Sequence, residues 1–471
     1  MIAGDAVSTP ALTAPTATAR RPNFIIIFAD DLGYGDLSCF GAAKIKTPHL
    51  DSLARGGARF TDFYVPASVC TPSRAGLMTG CYPERVGLGV NVLFPYSARG
   101  LNPDEITLAE LLKKQGYATA CIGKWHLGHL SQFLPTHQGF DSYFGIPYSN
   151  DMRPSVLMRG ETVVEQPVEQ DTLTDRYTAE AVKFIDAHKD QPFFLYLPHN
   201  MPHVPLHATP AERGVSAGGL YGDVVERIDW STGEIIAALK KNGLTDNTIV
   251  VFTSDNGPWL TQGVNGGSAG PLRDGKGTTY EGGQREPTMM WAPGRIPAGT
   301  VCHEVATTLD LYPTFAKLAG AELPADRVID GRDIAPLMFG AKDAKTPHDA
   351  FYYYNVAARI EAIRVGDWKL RIENPWVVQL KANGKQRQRG EPELYNLHDD
   401  VGEKQNLAAD HPDVVAELRK KMEAFDTELA AHSRPVGEGE QSPEMKAQER
   451  ERQKIKQQEH KAGAADSDLT D

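Results

Sequence analysis

The sequence of 471 residues has few cysteines, no long apolar run and no excess of positive charge. Five cysteines with no Cys-x-x-Cys pair exclude a disulfide scaffold and argue against a zinc or dithiol motif. We expect Cys39, Cys81, Cys121 and Cys302 to be buried thiols; one or two bridges are the alternative in an oxidising compartment. Because no apolar run approaches the roughly 18 to 20 residues of a membrane span, we expect none.

The charge balance excludes a second group of functions. With 49 Lys and Arg against 61 Asp and Glu, the formal net charge is −12. Nucleic acids and anionic membranes bind broad basic surfaces, so we expect neither as a partner. The composition, 41% hydrophobic and 23% charged, is typical of a folded globular protein. An anionic substrate would therefore have to bind at a locally basic site.

Short apolar runs alternate with amphipathic segments over the first two thirds of the chain, a pattern that predicts an α/β fold with parallel strands. The predicted strands are Phe24–Phe28, Ala118–Ile122, Pro192–Leu197 and Thr248–Thr253. Helices are expected at about 47–56, 107–115, 174–189, 221–241 and 307–319. Each strand is followed by polar residues, and in open α/β sheets ligands bind at the carboxyl ends of the strands.

The composition divides the chain into four predicted parts. Residues 1–21 form a flexible N-terminal segment, 22–345 a large α/β domain, 346–436 a smaller α+β domain, and 437–471 a charged low-complexity tail. In the smaller domain we expect antiparallel strands and a helix at about 411–430. These strands are Phe351–Tyr354, Ala362–Val365, Trp368–Ile372 and Trp376–Leu380. The tail has few large apolar residues, which favours a solvated helix or disorder.

The most specific motif is Cys70-Thr-Pro-Ser-Arg74-Ala-Gly-Leu77-Met-Thr79-Gly80. It resembles the signature of the type I sulfatases, Cys-x-Pro-x-Arg followed by Leu-x-Thr-Gly. A lone cysteine is usually a buried structural residue. The resemblance implies instead that Cys70 is oxidised after synthesis to formylglycine, an aldehyde whose hydrate is the nucleophile.

The resemblance extends from Pro22 to about Phe425 and is closest to the arylsulfatase A and N-acetylgalactosamine-6-sulfatase branch. Further matching motifs occur in the family's order, at 30–36, 123–128, 145–149, 254–257 and 275–283. The implied fold is an alkaline-phosphatase-like α/β domain, with a large central sheet flanked by helices and a smaller C-terminal antiparallel-sheet domain. The implied catalytic domain is 22–345.

Four residues in these motifs, Asp30, Asp31, Asp255 and Asn256, offer only oxygen ligands. Such ligands suit a hard divalent cation, Ca²⁺ or Mg²⁺, rather than zinc. Taken singly, an Asp-Asp or Asp-Asn pair after a strand is often turn chemistry. The resemblance implies that all four bind one metal, Ca²⁺ foremost, together with an oxygen of the formylglycine derived from Cys70.

Cations and histidines complete the implied site. Lys124 and Lys276 match the family's sulfate-binding lysines, Ser149 matches a serine that contacts the sulfate, and Arg74 matches the arginine that orders the formylglycine. Preorganised cations stabilise the charge that develops on a departing sulfate ester. Without the motifs, a lone Lys or Arg would be interpreted as a solvated surface group and Ser149 as a turn former.

Histidine can donate or accept a proton near neutral pH. His126 matches the family's residue that contacts the formylglycine hydroxyls and acts as the base when sulfate is eliminated. His203 matches the histidine that protonates the leaving group. His199 and His207 lie close by in the sequence, but the proline-flanked His203 fits the family pattern best.

These matches imply a sulfuric ester hydrolase that acts on an aryl sulfate, sulfated sugar or glycolipid through a sulfoenzyme intermediate. A formylglycine-generating or equivalent maturation enzyme is an implied partner. Two alternatives remain: a formylglycine-dependent phosphonate monoester or phosphodiester hydrolase, and an inactive sulfated-glycan binding protein. The resemblance suggests a periplasmic, secreted or lysosomal-like location, although we identify no signal peptide in this sequence.

Overall fold

The structure is a computed structural model that describes residues 21–372, 380–381, 384–385 and 391–466. The predicted flexible segment 1–21 lies outside this range except for its last residue. The strands, in chain order, are β1 (Asn23–Ala29), β2 (Ala58–Phe60), β3 (Phe63–Tyr64), β4 (Arg99–Gly100), β5 (Ala118–Ile122), β6 (Ser142–Gly145), β7 (Leu157–Arg159), β8 (Thr162–Glu165), β9 (Phe193–Pro198), β10 (Thr248–Ser254), β11 (Thr288–Trp291), β12 (Thr300–Cys302), β13 (Ala306–Thr307), β14 (Phe351–Tyr354), β15 (Ile360–Val365), β16 (Trp368–Arg371), β17 (Leu380–Lys381), β18 (Gly384–Lys385), β19 (Glu393–Asn396) and β20 (Gly437–Glu438).

The helices confirm the five segments predicted in the large domain and the one predicted near the C-terminus. They are α1 (Pro48–Gly56), α2 (Cys70–Thr79), α3 (Leu108–Lys114), α4 (Leu173–Ala187), α5 (Gly219–Lys241), α6 (Glu281–Gln284), α7 (Leu311–Ala319), α8 (Ala335–Met338), α9 (Pro412–Ala431) and α10 (Pro443–Asp466). Helix α2 was not predicted. All ten of its residues are buried, so it has no solvent-exposed face whose polar residues would reveal a helical period.

A mixed ten-stranded sheet forms the centre of the fold, in the order β12-β2-β11-β10-β1-β9-β5-β6-β7-β8. The five strands from β10 to β6 in that order are mutually parallel, as predicted. Ala29 pairs with Ser254, and Phe28 pairs with Pro198. Because these strands end in register, the residues that follow them lie at one edge of the sheet.

Helices cover both faces of the sheet, which explains why the sequence of β1 does not alternate between apolar and polar residues. Phe24, Ile26 and Phe28 pack into the apolar cluster that includes residues of α2, α3 and α7. Ile25 and Ile27 pack into the opposite cluster, with residues of α1, α4 and α5. Every residue of β1 is buried, as expected for a strand covered on both faces.

The predicted smaller sheet is present after the central sheet and has the antiparallel order β14-β15-β16-β19. Helix α9 packs on it through Leu418 and Met422, which contact a cluster containing Ile363 and Leu370. Strand β19 was not predicted, and most of the predicted strand Trp376–Leu380 lies outside the described residues. The C-terminal segment then returns to the large domain, where β20 pairs with β4. In the described part of the chain, no helix is long and apolar enough to cross a membrane.

Candidate active site

The carboxyl edge of the parallel strands carries eight of the eleven residues implied by the family motifs. They follow five neighbouring strands: Asp255 and Asn256 after β10, Asp30 and Asp31 after β1, His203 after β9, Lys124 and His126 after β5, and Ser149 after β6. All eight are almost completely buried. The remaining three, Cys70, Arg74 and Lys276, reach the same place from α2 and from the loop before α6.

Cys70 is the first residue of α2 and is 1% exposed. Its Sγ lies 3.3 Å from Oδ1 of Asp30 and 3.8 Å from Nζ of Lys276. The helix fits this deep position because it contains Gly76, where an added Cβ would lie 2.5 Å from the side chain of Pro66. It ends at Gly80, whose φ of 67° favours glycine. The glycines of the motif therefore allow the close packing that places Cys70.

The surroundings of Cys70 disfavour a thiolate. Burial raises the pKa of its thiol well above the ordinary value, and the nearby carboxylates of Asp255 and Asp30 raise it further. Lys124 and Lys276 oppose this effect without overcoming it. Since the thiolate is the nucleophilic form of cysteine, an unmodified Cys70 is poorly suited to attack a substrate.

Three cations pair with three carboxylates around Cys70. Arg74 donates from Nε and Nη2 to Oδ2 of Asp255, at 3.1 and 2.7 Å, and from Nη1 to the carbonyl of Lys124. Lys124 lies 2.6 Å from Asp30, and Lys276 lies 2.8 Å from Asp31. Buried charges need such partners, because an unpaired one carries a large desolvation penalty.

The predicted metal ligands form part of a compact donor cluster. Oxygen atoms of Asp30 and Asp31, Sγ of Cys70 and a ring nitrogen of His203 lie within 4.8 Å of one another. Oδ1 of Asn256 is buried without a hydrogen-bond partner, while its Nδ2 donates to Asp31 at 2.8 Å. An unpartnered amide oxygen beside two carboxylates fits a hard cation.

Asp255 is not in that compact cluster. Its Oδ1 accepts from the backbone N–H of Asp31 at 3.1 Å, and its Oδ2 accepts from Arg74. Burial, with the neighbouring charge of Asp30, raises the pKa of Asp255 to about 6. The metal-ligand role of Asp255, like those of Asp30, Asp31 and Asn256, stays a prediction.

His126 has the geometry of a neutral ring with a free acceptor. Its Nε2 lies 2.9 Å from the carbonyl of Leu93, so Nε2 donates and, in the neutral ring, Nδ1 carries no proton. Nδ1 is buried without a partner. Burial, and then the charges of Lys124 and Arg74, hold the pKa of His126 well below its ordinary value.

The structure separates His203 from the two neighbouring histidines. Nε2 of His203 lies 3.7 Å from Asp31, and its ring packs against Trp259 with centroids 5.5 Å apart. His199 is buried near Ser231, and His207 pairs with Asp171 at 2.8 Å. Burial lowers the pKa of His203, and Lys276 adds to this effect.

A cavity of about 320 Å³ opens onto this cluster. Its inner part includes Cys70, His126, Ser149, His203 and Lys276. The other lining residues come from outside the family motifs, except for Gly277, and were not predicted: Val69, Asn91, Val92, Phe94, Asp151, Met152, Trp259 and Arg452. They lie on loops and on α10, where neither strand ends nor motif spacing indicates a site. The four other cysteines are unpaired, and Cys39 is only partly buried.

Comparison with known proteins agrees with this geometry. The family model described as Sulfatase matches residues 22–321, and the model described as N-sulphoglucosamine sulphohydrolase, C-terminal, matches residues 274–428. The chain belongs to the sulfatase family. This sulfatase is 40% identical to human arylsulfatase A, with 89% of this chain and 90% of the relative covered. It is 41% identical to the N-acetylgalactosamine-6-sulfatase of the dog, over 76% and 73% of the two chains. It is a sulfuric ester hydrolase.

Solved structures show the same architecture. The PsFucS1 sulfatase from Pseudoalteromonas sp. superposes with a TM-score of 0.79 at 29% identity, covering 89% of this chain and 92% of the other. Ps i-CgsB, solved in complex with k-i-k-neocarrahexaose, gives a TM-score of 0.75 at 33% identity and covers 86% and 93%. These similarities confirm the predicted alkaline-phosphatase-like fold with its smaller C-terminal sheet.

Proposed function

We propose that this sulfatase hydrolyses sulfate monoesters through a nucleophile at position 70 that is formed by conversion of Cys70 to formylglycine. The observation that carries this proposal is the burial of the Cys70 thiol beside Asp30 and Lys276, where its pKa is raised. A cysteine nucleophile would need the opposite environment. One hydroxyl of a formylglycine hydrate would instead supply the nucleophile for sulfur.

We further propose that Asp30, Asp31, Asp255 and Asn256 hold one divalent cation with residue 70, with Ca²⁺ preferred over Mg²⁺. The oxygen donors and the unpartnered Oδ1 of Asn256 support this assignment. Bound there, the cation would supply Lewis-acid stabilisation of negative charge at the sulfate end of the cavity.

We propose that Lys124 and Lys276 bind the sulfate group together with Ser149. Nζ of Lys124 lies 3.2 Å from Oγ of Ser149, and Lys276 and Ser149 both line the cavity. Together they can donate hydrogen bonds to sulfate oxygens and stabilise the charge that builds up as the ester bond breaks. Arg74 contacts Asp255 and the backbone carbonyl of Lys124, and it can thereby hold these two residues in position.

The two histidines fit different proton transfers. His126 is held neutral with Nδ1 free, so it can accept a proton from residue 70. His203 lines the cavity and can protonate the departing oxygen. Its pKa is lowered in the free protein by burial, and the negative charge of a bound sulfate ester would raise it toward the value that a general acid needs.

The names of the relatives suggest the substrate class. They include arylsulfatase, steryl-sulfatase and N-acetylgalactosamine-6-sulfatase. We therefore propose an aryl sulfate, sulfated sugar or glycolipid as the substrate. We also propose that residues 22–345 form the catalytic domain and residues 346–436 the smaller C-terminal domain. Maturation by a formylglycine-generating or equivalent enzyme follows from the conversion of Cys70.

The test combines mass spectrometry of the native Cys70 peptide with kinetics on an aryl sulfate and the matched aryl phosphonate. We expect formylglycine at position 70, a higher kcat/KM for the sulfate, and loss of activity on chelation that Ca²⁺ restores. Cys70→Ala should lower kcat/KM by about 10⁴-fold or more, because the nucleophile is removed. Cys39→Ala serves as the matched control and should retain activity. A preference for the phosphonate, or an active native enzyme with only thiol at position 70, would contradict the proposal.

A further inference from the structure

The C-terminal segment is bound to the loop that forms one side of the active-site cavity. After β20 has paired with β4, the backbone N–H of Gly439 donates to the carbonyl of Ala98 at 2.7 Å. Nε2 of Gln441 then donates to the carbonyl of Tyr96 at 3.0 Å and to Glu449 at 2.8 Å. These contacts connect α10 to the segment 91–98, which also carries the Leu93 carbonyl that binds His126.

One face of α10 contacts this loop. Spacings of four and three residues place three side chains on the same side of the helix: Met445, Glu449 and Arg452. Met445 is buried, Glu449 accepts from Gln441, and Arg452 lies over the ring of Phe94, 4.0 Å from its centroid. The predicted tail is therefore not uniformly solvated over its described part.

Arg452 is exposed and brings a positive charge to the cavity lining from outside the cluster of predicted catalytic and metal-binding residues. It lines the cavity together with Phe94, and the Phe94 ring stacks on Tyr96 with an interplanar angle of 3°. Among the side chains that the structure describes, no carboxylate lies within ion-pair distance of Arg452. Lys124, Lys276 and Arg74, by contrast, each pair with a carboxylate of the site. Asp151 is the acidic residue on the cavity wall outside that cluster, and it is exposed.

We propose that Arg452 and Phe94 form a second anion subsite, which binds a carboxylate or a second sulfate on the alcohol part of the substrate. This inference rests on the proposed sulfate ester hydrolysis and specifies its substrate class as doubly anionic esters. The guanidinium carbon lies 4.0 Å from the centroid of the Phe94 ring, and the exposed guanidinium can still donate paired hydrogen bonds to a planar or tetrahedral anion. Specificity then depends on a segment outside the family motifs.

The test measures sulfate release by ion chromatography from two substrate pairs. The carboxylate pair is phenyl sulfate and 3-carboxyphenyl sulfate, and the sulfate pair is N-acetylgalactosamine 6-sulfate and its 4,6-disulfate. For each pair the measured quantity is kcat/KM for the doubly charged compound divided by that for the singly charged one. We expect Arg452→Ala to lower this ratio about tenfold in one or both pairs, since an exposed charged contact is partly screened.

Arg450→Ala is the matched control, because Arg450 is exposed and lies about 160° around the helix from Arg452. Its ratios should stay within twofold of the wild-type values, and Arg452→Lys should keep more of the preference than Arg452→Ala. The inference is overturned if Arg452→Ala changes both ratios by less than twofold, or if Arg450→Ala changes them equally. A wild-type protein that releases sulfate from none of the four compounds contradicts the proposed function itself.

Discussion

Two buried clusters of paired charge in this sulfatase differ in the polar groups that lie beside them. The active-site cluster joins Asp30, Asp31 and Asp255 to Arg74, Lys124 and Lys276. The second, which we name the sheet-junction cluster, connects the large domain to the smaller sheet. Its members are Asp62, Tyr64, Glu281, Arg285, Tyr353, Arg364, Lys369 and Glu403.

In the sheet-junction cluster the central carboxylate is fully paired. Glu281 accepts from Tyr64 at 2.6 Å and from Tyr353 at 2.8 Å, and it pairs with Lys369 at 2.9 Å and with Arg285 at 3.2 Å. Burial alone would raise its pKa, but the nearby cations, Lys369 foremost, hold the pKa well below the ordinary value. Glu403 pairs with Lys369 at 2.8 Å, although burial raises the pKa of Glu403. The network around Glu281 thus joins two parts of the fold.

Beside the active-site cluster lie buried polar atoms that have no hydrogen-bond partner among the described residues. They are Oδ1 of Asn256 and Nδ1 of His126. Unpaired buried groups cost stability, and they occur at sites that must bind something else. We infer that the sheet-junction cluster contributes mainly to stability and the active-site cluster mainly to function. Replacing one lysine of each cluster by methionine tests this division.

Lys369→Met should give the largest effect on stability. Lys369 is completely buried and pairs with both Glu281 and Glu403, so its loss leaves two buried carboxylates without their cation. We expect the free energy of unfolding to fall by about 3–5 kcal/mol, with kcat/KM of the folded enzyme little changed. Urea denaturation measures this. Lys345→Met, at an exposed pair with Glu304, should cost less than about 1 kcal/mol; equal losses would remove the distinction between buried and exposed pairs.

Lys276→Met should give the converse result. This substitution removes a cation that we place against the sulfate, and loss of one such group lowers kcat/KM by about 10²–10³-fold. Lys276 retains some solvent contact, and its ion pair among the described residues is with one carboxylate, Asp31, so we expect a smaller loss of unfolding free energy than for Lys369→Met. Kinetics on an aryl sulfate and urea denaturation of the same preparation measure both quantities. A stability loss as large as that of Lys369→Met would contradict the division of roles.

Glu84 provides a smaller, pH-dependent test, because it is a buried carboxyl with no ion pair among the residues that the structure describes. Both of its oxygens lack a partner, and burial raises its pKa from 4.5 to about 8. The folded protein therefore holds a proton on Glu84 that the unfolded chain releases above pH 4.5. The protonated carboxyl contributes stability that is fully present below pH 4.5 and is lost as the pH rises through about 8.

We expect the free energy of unfolding of the wild type to fall between pH 5 and pH 9 by about 2–4 kcal/mol more than that of Glu84→Gln, which cannot ionise. Denaturant titrations at both pH values measure the difference. Glu322→Gln, at an exposed position, should follow the wild type. Parallel pH profiles for the wild type and Glu84→Gln would show that Glu84 is not protonated in the folded state.

The sequence predicted the framework because its signals are local. The unbroken apolar run of β1 indicated a strand buried on both faces, and the polar residues after four strands indicated a shared edge. The four predicted metal ligands from these motifs lie at that edge: Asp30, Asp31, Asp255 and Asn256. Helix α2 escaped prediction because complete burial removes the periodic pattern by which amphipathic helices are detected.

Sequence alone determined the family, the parallel sheet and the residues at its carboxyl edge, because motif spacing and strand hydrophobicity depend on neighbours along the chain. Only the tertiary structure decided which buried acids are paired, and that Arg452 lies on Phe94, 358 positions earlier in the chain. These contacts join segments far apart in sequence, and the energy that selects them comes from packing and charge pairing in three dimensions.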